Sequence, residues 1–316
     1  MGPCAPCASG RPYVEAALGQ GVGSGGTGVS ALGDRLAVWP QYLLPQQALT
    51  QFMGRLAGAR GGAATTAAIA WFIRRYRVDM SLAAQPDPAA YATFNEFFTR
   101  ALRPEVRPLG SGHWLCPVDG AVSQYGELQG DRLVQAKGHT YRVAELLGGD
   151  DTEAAAWQGP SASFATIYLS PRDYHRIHMP AAGRLLRMVH VPGALFSVNP
   201  LTARAVPGLF ARNERVVCLF EGEHGPWVLV LVGATIVGRM ATVWHGVVNP
   251  PRPQQVRTWD YREQNITLQA GQEMGRFLLG STVVLLMPGP LRFASHWAPG
   301  AAVCMGQDMA QRVDRT

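Results

Sequence analysis

The sequence predicts an α+β fold, with N-terminal amphipathic helices followed by a compact β-rich domain. Three observations carry that prediction. Apolar and aromatic residues recur at helical spacing between about residues 35 and 105, the helical text thins out after Pro104, and from about residue 113 the chain breaks into short apolar runs bounded by Gly and Pro. With 316 residues, 47% of them hydrophobic and 16% charged, the chain can bury a sizeable core and is too apolar to remain disordered.

Residues 1–34 are rich in Gly, Ala and Ser and include GQGVGSGGTG, a composition that does not order by itself. They read as a flexible tail. Cys4 and Cys7 form a C-x-x-C there, without the second ligand pair or the strand-helix setting that would make it a metal or redox motif. From Arg35 the text changes: Leu36, Trp39, Tyr42 and Leu43 precede Pro45, and Ala48, Leu49, Phe52, Met53 and Leu56 then recur at helical spacing up to the Gly61-Gly62 break. A second helix is expected within AATTAAIAWFIRRYRVDM, where Ile69, Trp71, Phe72 and Ile73 stand beside Arg74, Arg75 and Arg77. Such helices ordinarily pack on a core, but aromatic residues mixed with arginines also suit a helix lying in a membrane interface. Thr93-Phe94-Asn95-Glu96 has the capping-box pattern and should open a third helix, FNEFFTRAL, stopped by Pro104. Strands are expected in LVQAKG, ASFATIYLSP, LLRMVHVPG, RVVCLF, WVLVLVGATIVG, ATVWHGVV and STVVLLMPG, which are β-branched or aromatic and lack a sustained helical period.

The net charge is +6 and Lys137 is the only lysine, so almost all positive charge is guanidinium, which pairs well with phosphate and carboxylate. An anionic partner follows. Nucleic acid is not favoured, because there is no zinc-finger spacing, RNP-like motif or basic helix with heptads; an anionic membrane surface is the remaining candidate. Five scattered cysteines do not make a disulfide framework, which points to a reducing compartment. The opening residues lack the basic start and apolar stretch of a secretory signal, and no uninterrupted apolar run reaches the ~18 residues of a transmembrane helix.

Three segments could carry chemistry: Cys116-Pro117-Val118-Asp119-Gly120, the stretch YLSPRDYHRIHMP from Tyr168 to Pro180, and Leu279-Gly280-Ser281-Thr282. Taken singly, each has an ordinary explanation. Asp before Gly is usually a turn residue, Ser281 could be a filler hydroxyl in a strand, and His175 and His178, three apart, could share a face as metal ligands yet have no acidic or Cys partner at supporting spacing. Together, an Asp, a His and a Ser on separate segments could converge as carboxylate, base and nucleophile. A Gly inside the run GRFLLGSTVVLLMPG also marks a place where another group must come close to the backbone.

The joint occurrence of these segments resembles the phosphatidylserine decarboxylase proenzymes of the bacterial and mitochondrial type, from about Leu36 to about Leu286. The resemblance rests on YRVDM, TFNEFFTR, ALRPEVRP, QAKGHTY, YLSPRDYHRIHMP, VPGALFSVN, LFARNERVVCLF, LVGATIVG, GQEMGRF and LLGSTVVLL, all in register. It implies that the chain cuts itself between Gly280 and Ser281 into a β chain (1–280) and an α chain (281–316). Attack of Ser281 Oγ on the Gly280 carbonyl would turn the amide into an ester, and Gly280, lacking a Cβ, leaves room for that approach. A neutral histidine whose tautomer a carboxylate fixes is the base such a step needs, and His178 and Asp119 match the family's base and carboxylate. Elimination and hydrolysis would leave a pyruvoyl group at position 281. By resemblance, that covalent cofactor forms a Schiff base with phosphatidylserine and accepts the electrons released with carbon dioxide, and His175 supplies the proton that replaces it. The division of work between His175 and His178 stays open to exchange. No metal is implied. The family's usual Pro-Ala-Asp-Gly reads Pro117-Val118-Asp119-Gly120 here, a change that bears only on local packing. Lys137-Gly138-His139 and Phe196-Ser197-Val198-Asn199 match family stretches without an assigned role.

The organisation expected is a tail (1–34), a helical membrane-associating region (35–105) and a β-rich catalytic domain (106–316), in a peripheral protein on the cytoplasmic side of the cell membrane. Its partners would be phosphatidylserine, an anionic membrane surface, its own two chains and a further copy of itself. Two other readings compete. A serine hydrolase on Asp119, His178 and Ser281 would stay uncut, although Ser281 has no Gly-x-Ser-x-Gly elbow. A non-catalytic lipid-binding homologue would not need the Ser and both His that are present.

Overall fold

The computed structural model describes residues 33, 38–43, 45–157, 162–235, 239–249, 254–278 and 281–313. The expected tail, apart from Gly33, lies outside these residues, as do the C-x-x-C and Gly280. The helices-first α+β architecture is present: helices at Pro40–Leu43, Gln46–Ala57, Ala63–Tyr76 and Phe94–Phe98 precede a β-rich body.

Its centre is a nine-stranded antiparallel sheet. Eight strands follow the order Arg257–Asp260, Gly183–Val191, Arg215–Gly222, Gly225–Val232, Ser281–Pro288, Ala162–Leu169, Gly120–Glu127 and Ala302–Val303, and Thr267–Leu268 also pairs with Gly183–Val191. Ser281–Pro288 lies in the middle, and Val283 through Met287 are fully buried. An unbroken apolar run of this kind is what a strand covered on both faces requires, since neither set of alternating side chains meets water. A second sheet orders Gly246–Val247, Met240–Thr242, Glu273–Phe277 and Arg176–His178. It sets the His178 strand beside the strand that leads into position 281.

The N-terminal helices depart from the usual arrangement. In Gln46–Ala57 the buried residues are Thr50, Gly54 and Ala57. Phe52 and Leu56 are 64% and 58% exposed, and Trp39 and Trp71 nearby are 60% and 56% exposed. Small residues therefore face inward, where Gly54 lets the Arg239 guanidinium approach to 3.3 Å of a would-be Cβ, and the large apolar ones face out. Ala63–Tyr76 buries Ile69 and Phe72 in a small core with Val78, Phe97 and Phe98. No described helix is long and apolar enough to cross a membrane.

The third helix has the expected cap, with Thr93 Oγ1 accepting from Glu96 N at 3.1 Å, but stops at Phe98 rather than continuing to Leu102. The following residues prefer another partner: Ala84 N donates to Ala101 O and Arg103 N to Leu82 O, so the segment pairs back on residues 82–84. Cys116 and Cys218 are buried free thiols.

Candidate active site

Register brings the three chemical segments to one end of the central sheet. Tyr168 is paired with Ala121 on one side and with Thr282 on the other, so Asp119, just before the first strand, and Ser281, at the start of the central one, lie at the same end. The two strands carrying them are two spacings apart, roughly 10 Å. Gly120 is required for this fit, because a Cβ there would stand 2.3 Å from the Tyr168 carbonyl oxygen. His178 joins from the second sheet. Its amide donates to Pro117 O at 2.9 Å, tying the His178 strand to the segment that carries Asp119. On its other side Arg176–His178 pairs with Glu273–Phe277, and Phe277 N donates to His175 O at 3.0 Å.

The expected hydrogen bond between Asp119 and His178 is replaced by other partners. Both Asp119 carboxylate oxygens accept from the Arg107 guanidinium, one of them at 3.0 Å from Nε, and Oδ1 also accepts from Met305 N at 2.9 Å. A charged two-point fork is a stronger donor to carboxylate than one neutral imidazole N–H, so Arg107 takes the position. His178 instead donates Nδ1–H to Gly271 O at 2.8 Å, which leaves Nε2 to accept from Tyr174 OH at 3.0 Å. The carbonyl fixes the tautomer that the carboxylate was expected to fix. Burial pushes the His178 pKa below its usual value, with the Gly271 carbonyl and the nearby charges of Glu273 and Asp119 opposing the shift. A neutral imidazole with a basic Nε2 results. Burial also pushes the Tyr174 hydroxyl up, so it remains a donor.

His175 sits differently. It follows a tight turn in which Ser170 N donates to Asp173 Oδ2 at 2.7 Å and Asp173 N to Ser170 O at 3.0 Å. The ring is fully buried, lies 4.1 Å from the Phe98 ring and donates Nδ1–H to Asp173 O at 2.8 Å. Nε2 is buried without a partner. Burial pushes the pKa down to about 3, assisted by the charge of Arg100. The two histidines do not share a helical face, since Arg176–His178 is a strand, and among the described residues no group of three His, Cys, Asp or Glu could hold a metal ion.

Gly280 lies outside the described residues, and Ser281 is described by its backbone pairing alone, opposite Leu169. Val118 is fully buried, so the extra bulk at the Pro117-Val118-Asp119-Gly120 motif is absorbed into the core. Of the two motifs left without a role, Phe196-Ser197-Val198-Asn199 acts as a fastener. Asn213 brackets Phe196 through its amide and carbonyl at 3.1 and 2.8 Å, Ser197 N donates to Gln41 Oε1 at 2.9 Å, and Asn199 caps Pro200–Ala205. Lys137 holds a left-handed backbone (φ 59) in the turn Ala136–Gly138. Sequence reading missed Arg100, Arg107, Tyr174 and Gly271 as site residues. All four lie inside quoted motifs, but their partners are set by sheet register and have no spacing signature.

A family model described as phosphatidylserine decarboxylase matches residues 94–311, and a second, described as PSD, matches residues 36–77. The phosphatidylserine decarboxylase proenzyme of Azoarcus sp. (strain BH72) is 66% identical over 279 residues, covering 88% of this chain and 96% of that protein. Those of Delftia acidovorans and Acidovorax ebreus are 65% and 66% identical, each covering 89% of this chain and 99% of theirs.

Proposed function

Because the chain belongs to the phosphatidylserine decarboxylase family, we propose that it is a self-processing proenzyme that converts phosphatidylserine to phosphatidylethanolamine and carbon dioxide. The observation that carries the reading is the meeting of the Asp119, His178 and Ser281 segments at one end of the sheet.

In processing, His178 Nε2 takes the Ser281 hydroxyl proton and Oγ attacks the Gly280 carbonyl, so the C–N bond breaks as an ester forms. Tyr174 must yield its hydrogen bond to Nε2 or pass the proton along it. Asp119 acts at a distance, its charge favouring the imidazolium while Arg107 holds it in place. Loss of the Ser281 Cα proton then drives elimination, in which the Cα–H electron pair forms the Cα=Cβ double bond, the Cβ–Oγ bond breaks and a carboxylate is freed at Gly280. Water replaces nitrogen at the new N-terminus, ammonia leaves, and the pyruvoyl group is complete. It would supply the electron sink for decarboxylation. The surroundings fit such a group: the strand that bears position 281 is buried, and the site includes an orphaned imidazole nitrogen on His175.

His175 is neutral at pH 7 and cannot donate from Nε2 until that nitrogen is protonated. A negatively charged headgroup in the same buried space favours the imidazolium, so substrate arrival charges the acid that later protonates the product carbon. We place the domain division at about residue 105, with the helices of residues 35–105 serving the membrane and the end of that stretch, Phe98 to Arg100, reaching the catalytic domain. Outward Trp39, Phe52, Leu56 and Trp71, flanked by Arg55, Arg60, Arg74 and Arg75, suit an anionic bilayer surface reached without spanning.

Intact mass under denaturing conditions tests the core of this reading. Wild type should give residues 1–280 and a ketone-blocked 281–316, while Ser281→Ala stays whole; two whole chains would restore the serine hydrolase or non-catalytic reading. Sedimentation with anionic liposomes at low salt tests the surface, which is refuted if the protein stays in the supernatant.

A further inference from the structure

We propose that Arg100 anchors the headgroup phosphodiester of the substrate, an inference that rests on the decarboxylase reading above. Three arginines are buried among the described residues, Arg100, Arg107 and Arg215. In two of them every guanidinium nitrogen has an acceptor. Arg107 is filled by Asp119 and Val106 O, and Arg215 by the carbonyls of Glu145, Leu146, Ala211 and Asn213. Arg100 is 5% exposed, yet only Nη2 is used, donating to Arg172 O at 3.2 Å. Nε and Nη1 are buried with no partner. The guanidinium is charged at neutral pH, feels Asp119 and Asp173 only as charges, and lies 5.4 Å from the Phe97 ring centroid, so its two buried donors still lack an acceptor that an anion would supply.

Its position says where that anion would come from. Arg100 belongs to the short segment that walls the candidate site: Phe98 lies 4.1 Å from His175, Thr99 O accepts from Arg176 Nε at 2.8 Å, and Arg100 reaches the carbonyl of Arg172. His175 Nε2, the other orphaned buried nitrogen here, is close enough to feel the Arg100 charge. Two buried polar groups thus lack a partner beside the candidate site, and the substrate carries two anions, a carboxylate and a phosphodiester.

The reaction separates these anions. The carboxylate must lose its charge to leave as carbon dioxide, so a tight ion pair with it would stabilise the ground state and oppose the chemistry. The phosphodiester keeps its charge throughout, and a guanidinium holding it binds ground state and transition state alike. Arg100 therefore serves affinity and placement, while the carboxylate is left unpaired beside the apolar ring of Phe98.

The test uses Arg100→Gln and Arg100→Lys, with soluble dihexanoyl-phosphatidylserine as substrate and dihexanoyl-phosphatidylethanolamine as competitive inhibitor. The inhibitor retains the phosphodiester and lacks the carboxylate. Intact mass first establishes that each variant has processed. Arg100→Gln should raise KM for the substrate and Ki for the inhibitor together, each by about 10-fold or more, with kcat changed by less than about 3-fold; Arg100→Lys should fall between. A rise in KM without a rise in Ki assigns Arg100 to the carboxylate and overturns the proposal. No change in either overturns it too. If Arg100→Gln fails to process, the same two constants for Arg100→Lys decide. A wild type that neither cuts itself nor decarboxylates removes the decarboxylase reading itself, whereas an active wild type with indifferent Arg100 variants removes only this inference.

Discussion

Gly271 holds a left-handed backbone (φ +78), with Leu109 Cδ1 2.5 Å from where a Cβ would stand, and its carbonyl accepts the His178 Nδ1 proton. The exposed Leu109 side chain can swing aside, but any side chain at this φ is strained, and relief would move the carbonyl that sets the tautomer of the base. Gly271→Ala should slow self-cleavage by about 10-fold or more, read as the time course of intact mass after synthesis. The pH dependence of cleavage follows from the other side of the ring. Burial lowers the His178 pKa below 6.5, so the neutral, base-competent form persists as pH falls through that value. Cleavage should decline in acid with a midpoint below pH 6.5; a midpoint at or above 6.5 would contradict the buried-base assignment.

Among the elements, the helix Gln46–Ala57 and the strand Ser281–Pro288 bury opposite kinds of surface. The helix packs through Thr50, Gly54 and Ala57 and leaves Phe52 and Leu56 in solvent. Phe52→Ser with Leu56→Ser should therefore leave thermal stability within about 0.5 kcal/mol of wild type, while vesicle affinity falls by about 10-fold through lost apolar insertion. Denaturant melts and liposome sedimentation separate the two effects. Leu285 is fully buried between the strands Ala162–Leu169 and Gly225–Val232. Leu285→Ala should cost about 2–5 kcal/mol, measured in the Ser281→Ala precursor so that processing does not confound the unfolding curve.

For the whole molecule, the neutral buried His175 makes stability depend on acid. Its folded pKa is about 3 against an ordinary value of 6.5, so above 6.5 neither folded nor unfolded chain binds the proton and no penalty exists. Below 6.5 the unfolded chain binds it and the native state does not, and stability is lost progressively as pH falls from 6.5 towards 3. At pH 5 this single group removes about 2 kcal/mol. Urea unfolding of the Ser281→Ala precursor at pH 7 and pH 5 should show that loss, and adding His175→Gln should reduce it. An equal loss with and without His175 would place the acid sensitivity elsewhere.

The helices-first α+β class, the family and the reaction were all legible in the chain, because they depend on local periodicity and on motifs that keep their order. The sequence by itself determined that Asp119, the pair His175 and His178, and Ser281 stand on three separate segments of such a chain. It could not say which atoms meet. The tertiary structure decided that Arg107 occupies Asp119, that Gly271 and Tyr174 hold His178, that helix Gln46–Ala57 faces its apolar side outward, and that Arg100 is buried with open donors. These are contests between partners far apart in sequence. Their outcome rests on sheet register and on which donor binds each acceptor most strongly, and neither quantity exists until the strands have paired.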